Sequence, residues 1–114
     1  MDELYKDFTG VLYTAGVKHI ADTAAGGNGA YWLITAIGSF QGRGYPQVQA
    51  EEFQLWTLRV HPDRSATLTM QPDSDKPAVI TQTIPWTDFD EEVCELYVLR
   101  TPGQKPLICQ PCEY

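Results

Sequence analysis

The sequence predicts an α+β domain: two N-terminal helices packed on one face of a four- to five-stranded antiparallel meander sheet. Three observations carry this. Apolar residues recur at three- and four-residue steps up to Phe40 and at steps of two from Phe53 onward. The later segments are joined by short polar turns, which favours antiparallel neighbours, since a parallel return needs a crossover of about a dozen residues or more. With 114 residues, 43% of them hydrophobic, the chain holds one core and reads as a single domain, 1–114.

Taking the elements in order, Tyr13, Val17, Ile20, Ala21 and Ala24 form one helical stripe, with Thr14 as the cap and Gly26 and Gly27 as the stop. Asn28 offers the next cap. Ala30 to Phe40 carries Tyr31, Trp32, Leu33, Ile34, Ile37 and Phe40 around most of its circumference, the pattern of a buried helix. Tyr45 to Glu52 is a connector. Phe53 to Val60, Ala66 to Met70, Val79 to Ile84 and Val93 to Arg100 alternate as strands, and Leu107 to Cys109 is a short fifth. Turn composition separates them at 61–65, 72–77 and 101–104, and Pro85 closes the third strand.

Fifteen acidic groups against eight basic ones give a net charge of −7. No two basic residues stand closer than five positions apart, so the clustered cations that displace counterions from a phosphate backbone are missing, and nucleic acid is a poor direct partner. The longest apolar stretch, Ala30 to Ile37, falls far short of the ~20 residues of a membrane span. The acidic start lacks the character of a secretory signal, and the expected compartment is the cytoplasm.

The sharpest charge feature is Asp88, Asp90, Glu91, Glu92 and Glu95, placed just after Trp86 and Thr87. Thr87 is expected to cap a single helical turn whose acidic residues favour its positive end. An acidic surface also fits a basic site on another protein, with Trp86 and Phe89 as apolar anchors. Cys109-Gln110-Pro111-Cys112 has the spacing of half a zinc site, for which only Cys94, His19 and His61 remain as further ligands. A following helix that would lower the thiol pKa has no room after Cys112. No nucleophile elbow, phosphate loop, dinucleotide fingerprint or His-Glu-x-x-His pair is present.

Several segments together resemble a family of small proteins from bacterial and mobile-element genomes that is filed as a domain of unknown function. They are Leu12-Tyr13-Thr14-Ala15-Gly16-Val17-Lys18, Gly29-Ala30-Tyr31-Trp32-Leu33-Ile34-Thr35-Ala36-Ile37, Phe53-Gln54-Leu55-Trp56-Thr57-Leu58, Thr87-Asp88-Phe89 and Cys112-Glu113-Tyr114. The resemblance spans nearly the whole chain and implies no activity or catalytic residue. Ala15, Thr35 and Cys112 depart from the family pattern, which has acidic residues at the first two and serine at the third.

The resulting expectation is a non-enzymatic protein-binding module without cofactor. As a phage or plasmid product it would block a host nucleic-acid-handling or defence complex through its acidic surface. The alternative is a small metal-binding or enzymatic domain using Cys94, Cys109, Cys112 and a histidine. A homodimer formed along a sheet edge, left open by the short final strand, is compatible with both.

Overall fold

The computed structural model describes residues 3–42 and 44–114; Met1 and Asp2, the first residues of the acidic start, and Arg43 lie outside it. Along the described chain run β1 (Leu4–Lys6), β2 (Leu12–Thr14), α1 (Ala15–Thr23), α2 (Tyr31–Ser39), α3 (Pro46–Gln49), β3 (Phe53–Val60), β4 (Ala66–Gln71), β5 (Ile80–Ile84), β6 (Val93–Leu99) and β7 (Leu107–Cys109), with 3-10 turns at Ala25–Gly27 and Pro111–Glu113. None of these helices is long and apolar enough to cross a membrane.

All seven strands form one sheet in the order β1-β2-β7-β6-β3-β4-β5. The expected antiparallel meander of four or five strands is corrected in its order, since β6 pairs with β3 and not with its sequence neighbour β5, and in its strand count, direction and edges. Two strands were added at the N-terminal side, where each has only three residues, too few for alternation to register against the helical stripe that begins at Tyr13. Tyr13 belongs to β2, opposite Tyr5 with ring centroids 5.8 Å apart, and not to α1. The sheet is mixed, because β7 lies parallel to β2, with Leu12 beside Leu107. For the same reason β7 leaves no open edge: it is interior, between β2 and β6, and the free edges are β1 and β5.

Side-chain parity builds the core. Trp56 and Leu58 on β3, Ala66, Leu68 and Met70 on β4, Leu96 and Val98 on β6 and Ile108 on β7 are buried together with Val17 and Ala21 of α1 and Leu33, Ile34 and Ile37 of α2. Thr14 caps α1 as expected, its Oγ1 accepting from Val17 N–H at 3.2 Å, and Gly26 and Gly27 follow the helix at φ +66° and +99°. Asn28 does not cap α2. Ala30 takes that position with no side-chain cap, and Asn28 turns toward Asp88 instead. Nor is α2 buried all round, since Tyr31 and Ser39 are exposed. The connector before β3 holds the single turn of α3, whose Val48 is fully buried.

A polar thread crosses this core. Gln54 is 0% exposed. Its Oε1 accepts from Trp56 Nε1 at 2.9 Å and Gln41 Nε2 at 2.8 Å, while its Nε2 donates to Val48 O at 3.0 Å and Gln41 Oε1 at 3.2 Å. Gln41 Oε1 in turn accepts from Arg100 Nη1 at 2.9 Å. Buried amides of this kind are stable only when their partners are all present.

Candidate functional site

The acidic segment after β5 is not a helical turn. Thr87 is buried, and its Oγ1 accepts from Phe89 N–H at 3.1 Å within an extended loop. The helical alternative loses because Arg64 claims the carbonyls that would have formed it: Nε donates to Thr87 O at 3.1 Å and Nη2 to Phe89 O at 2.6 Å, while Thr87 N–H donates back to Arg64 O at 2.8 Å. Arg64 itself sits at φ +69° in the tight turn between β3 and β4, a conformation costing about 1 kcal/mol for a residue with a Cβ, offset by these bonds.

This clamp drives the segment in and out with period two. Thr87 and Phe89 point inward. Phe89 is 2% exposed and belongs to the core, so it cannot serve as a surface anchor. Trp86, two residues past the end of β5, is 64% exposed. Asp88 is half-buried, with Asn28 Nδ2 3.5 Å from its Oδ2. Asp90 is exposed and docks on the 3-10 turn, where the backbone amides of Ala25 and Gly26 hold its carboxyl below the usual aspartate range; Gly26 N–H donates at 3.3 Å.

Glu91, Glu92 and Glu95 stand in solvent around the start of β6, beside exposed Val93. Among the described residues the one salt bridge is Lys18–Asp22, so the carboxylates from 88 to 95 carry no paired cation. Two hollows flank them. One of about 410 Å³ is lined by Val60, His61, Pro62, Arg64, Asp90, Glu91 and Glu92, and one of about 170 Å³ by Ile20, Thr23, Ala24, Phe89, Asp90 and Glu91.

The sulfur and imidazole candidates are scattered. Cys109 faces Tyr97 across β6–β7, while Cys94 lies three positions from Tyr97 on the same strand, so the two thiols point to opposite faces of the sheet. Cys112 is exposed in the C-terminal 3-10 turn, His19 is exposed on α1, and His61 sits in the turn after β3, its Nε2 2.9 Å from Thr67 Oγ1. No group of three or more His, Cys, Asp and Glu side chains among the described residues is placed to hold a metal ion. Burial first, then Glu91 and Glu95, pushes the Cys94 thiol up to about 11; burial, then Glu113 and Cys112, does the same for Cys109. Neither is a ready thiolate near neutral pH.

One constellation escapes sequence reading. Glu113 Oε1 accepts from Thr14 Oγ1 at 2.8 Å and Gln110 N–H at 2.8 Å, seating a carboxylate at the start of α1. Gly16 makes room for it, since a Cβ there would lie 2.6 Å from Gln110 Oε1. Tyr114 closes over the sheet face with its ring 5.4 Å from those of Phe53 and Tyr97. The Cys112-Glu113-Tyr114 segment thus meets the Thr14–Val17 and Phe53–Leu58 segments in space. The bare signal was an acidic residue three positions after Gln110, a pairing that reads as a capping box only once the turn is known.

The fold and this surface define a small α+β protein built on one mixed seven-stranded sheet, with an acidic end at the start of β6 that holds no salt bridge among the described residues. The chain belongs to the family described as Family of unknown function (DUF6876), whose model matches residues 1–114. No curated protein and no solved structure matches it.

Proposed function

We propose that the chain is a non-enzymatic protein-binding module that occupies a basic surface of a partner through Glu91, Glu92 and Glu95, with Asp88 and Asp90 behind them. The observation that carries this reading is the absence of any ion pair on these carboxylates among the described residues. A compensated surface would present no field to a partner, whereas this one steers cations toward the start of β6 and holds them when water is excluded. Exposed Val93 supplies an apolar contact within the same patch. The finer reading, a phage or plasmid product blocking a host nucleic-acid-handling or defence complex, draws on the chain's resemblance and on the fit between an acidic surface and a nucleic-acid-binding one.

The test is affinity capture from native-host lysate at about 50 mM salt and again at about 500 mM, where the Debye length is less than half as long. Wild-type chain is expected to retain a defined protein at low salt and release it at high salt or on adding competing nucleic acid. Glu91→Lys/Glu92→Lys/Glu95→Lys is expected to retain none of it. Equal retention by the triple variant refutes the assignment of this surface.

A further inference from the structure

The β5 edge of the sheet carries features that the acidic surface does not use. Strand edges are normally blunted by charge, proline or a bulge. β5 reads Ile80-Thr81-Gln82-Thr83-Ile84, with no charged residue and no proline inside it, and at one end of the sheet order it has a neighbour on one side only. Its sequence is the same in both directions about Gln82.

The direction of its backbone groups follows from the ladder. Val60 N–H donates to Glu92 O at 2.8 Å and Arg100 N–H to Glu52 O at 2.7 Å, so the even-numbered positions of β3 bond toward β6. His61 N–H donates to Ser65 O at 2.8 Å, which puts the odd-numbered ones on β4. In an antiparallel ladder the bonds alternate sides residue by residue. Carried through the registers Thr57↔Thr69 and Leu68↔Gln82, the alternation turns Ile80, Gln82 and Ile84 inward to β4. The N–H and C=O groups of Thr81 and Thr83 are left pointing off the sheet.

We infer that β5 pairs antiparallel with β5 of a second copy of this chain, about a two-fold axis through Gln82, joining two seven-stranded sheets into one. In that register Thr81 of each copy meets Thr83 of the other in hydrogen-bonded pairs, and both outward N–H and both outward C=O groups of each strand are satisfied. Ile80 faces Ile84, and Gln82 faces itself. A two-fold axis makes the two halves of the contact identical, and the symmetric sequence adds that every cross-strand pair is like with like, isoleucine on isoleucine and threonine on threonine.

The same register accounts for two exposed apolar residues just beyond the ends of the strand. Trp86, 64% exposed, falls opposite Ala78 of the second copy with Val79, 38% exposed, beside it. No carboxylate lies within the paired strands, so the net charge of −7 on each copy is kept off the contact. This contact takes Trp86 away from the acidic surface and leaves Glu91, Glu92 and Glu95 outside it, so it stands or falls separately from the proposed function.

Light scattering across about 10 µM to about 1 mM tests it, because mass action must shift a reversible pair over such a range. The expected mass rises toward twice 12.8 kDa. Thr81→Pro removes only an outward N–H and keeps the bonds to β4, so it is expected to stay folded by circular dichroism and remain at 12.8 kDa throughout. Thr83→Lys, with an edge charge in place of a proline, is expected to do the same. Gln82→Cys in a Cys112→Ser background is expected to cross-link to a covalent dimer on mild oxidation, whereas Thr81→Cys, two residues off self-register, is not. A wild-type mass of 12.8 kDa at every concentration overturns the inference, as does a folded Thr81→Pro or Thr83→Lys chain that still dimerises. A dimer that Gln82→Cys fails to lock would overturn the register.

Discussion

Replacing Gln54 by Leu keeps the volume of the side chain and removes its hydrogen bonds, which isolates the value of the polar thread through the core. The change leaves Trp56 Nε1–H without its partner at 2.9 Å and strips both bonds between the Gln54 and Gln41 amides, whereas Val48 C=O keeps the Glu51 N–H at 3.1 Å. Gln41 keeps Arg100, and its Nε2 retains a longer contact to Ile37 O at 3.4 Å. One orphaned buried donor at roughly 1–3 kcal/mol and two lost amide bonds at about 1 kcal/mol each, less about 1 kcal/mol for the added apolar burial, give a loss of about 3 kcal/mol. At about 2.1 cal/mol/K per residue over 114 residues, that lowers the melting temperature by about 12 °C. Urea unfolding followed by tryptophan fluorescence and circular dichroism measures it directly. The network reading also requires that Gln41→Leu/Gln54→Leu cost less than the two single changes added together, because the second deletion removes an already orphaned group. A Gln54→Leu loss below about 1 kcal/mol, or strict additivity, would show that the buried amides are not coupled.

Two further outcomes follow from the same packing. Gly38→Ala is expected to cost about 1–3 kcal/mol, because the new Cβ collides with Thr9 Oγ1, which is tied to Asp7, and lies 3.0 Å from Val11 Cγ1. Gly16→Ala meets only the ends of the Gln110 and Glu113 side chains and should change stability by less than about 1 kcal/mol, since helix propensity offsets the shift; thermal melts of the two variants rank them. With Cys94 and Cys109 buried or half-buried and Cys112 exposed, a disulfide exchange reagent should modify one thiol rapidly in the native chain and three in denaturant. Because the folded state holds the protons of Cys94 and Cys109 up to about 11, against 9.0 for an ordinary cysteine, their contribution to stability is intact below pH 9 and is lost as pH rises from 9 through 11. Cys94→Ala should flatten that alkaline decline in urea titrations, and an unchanged slope would contradict the burial of the thiol.

Much of the sheet was legible because its strands are long enough to alternate. Phe53–Val60 and Leu107–Cys109 were read to the residue, and Ala66–Gln71, Ile80–Ile84 and Val93–Leu99 to within one. What the sequence withheld is non-local. Leu12–Thr14 earns its place as a strand only by lying between β1 and β7, and nothing near it announces Leu107 as a neighbour. At the acidic segment the composition hid the geometry. Five carboxylates suggested a solvated helical turn, yet the alternation of Thr87 and Phe89 against Asp88 and Asp90 was already the pattern of an extended stretch with one side buried. Arg64, the residue that enforces it, lies more than twenty positions upstream and carries no motif.

The parallel contact of Leu12 with Leu107 sets a schedule for synthesis. A strand born early on the ribosome waits for one made much later, and until then the β1–β2 hairpin has no lateral support while the β6 flank lies bare. Such late closure slows folding and lengthens the interval in which unfinished chains can stick to one another. Nascent copies halted just before β7 emerges are therefore the species most in need of a chaperone.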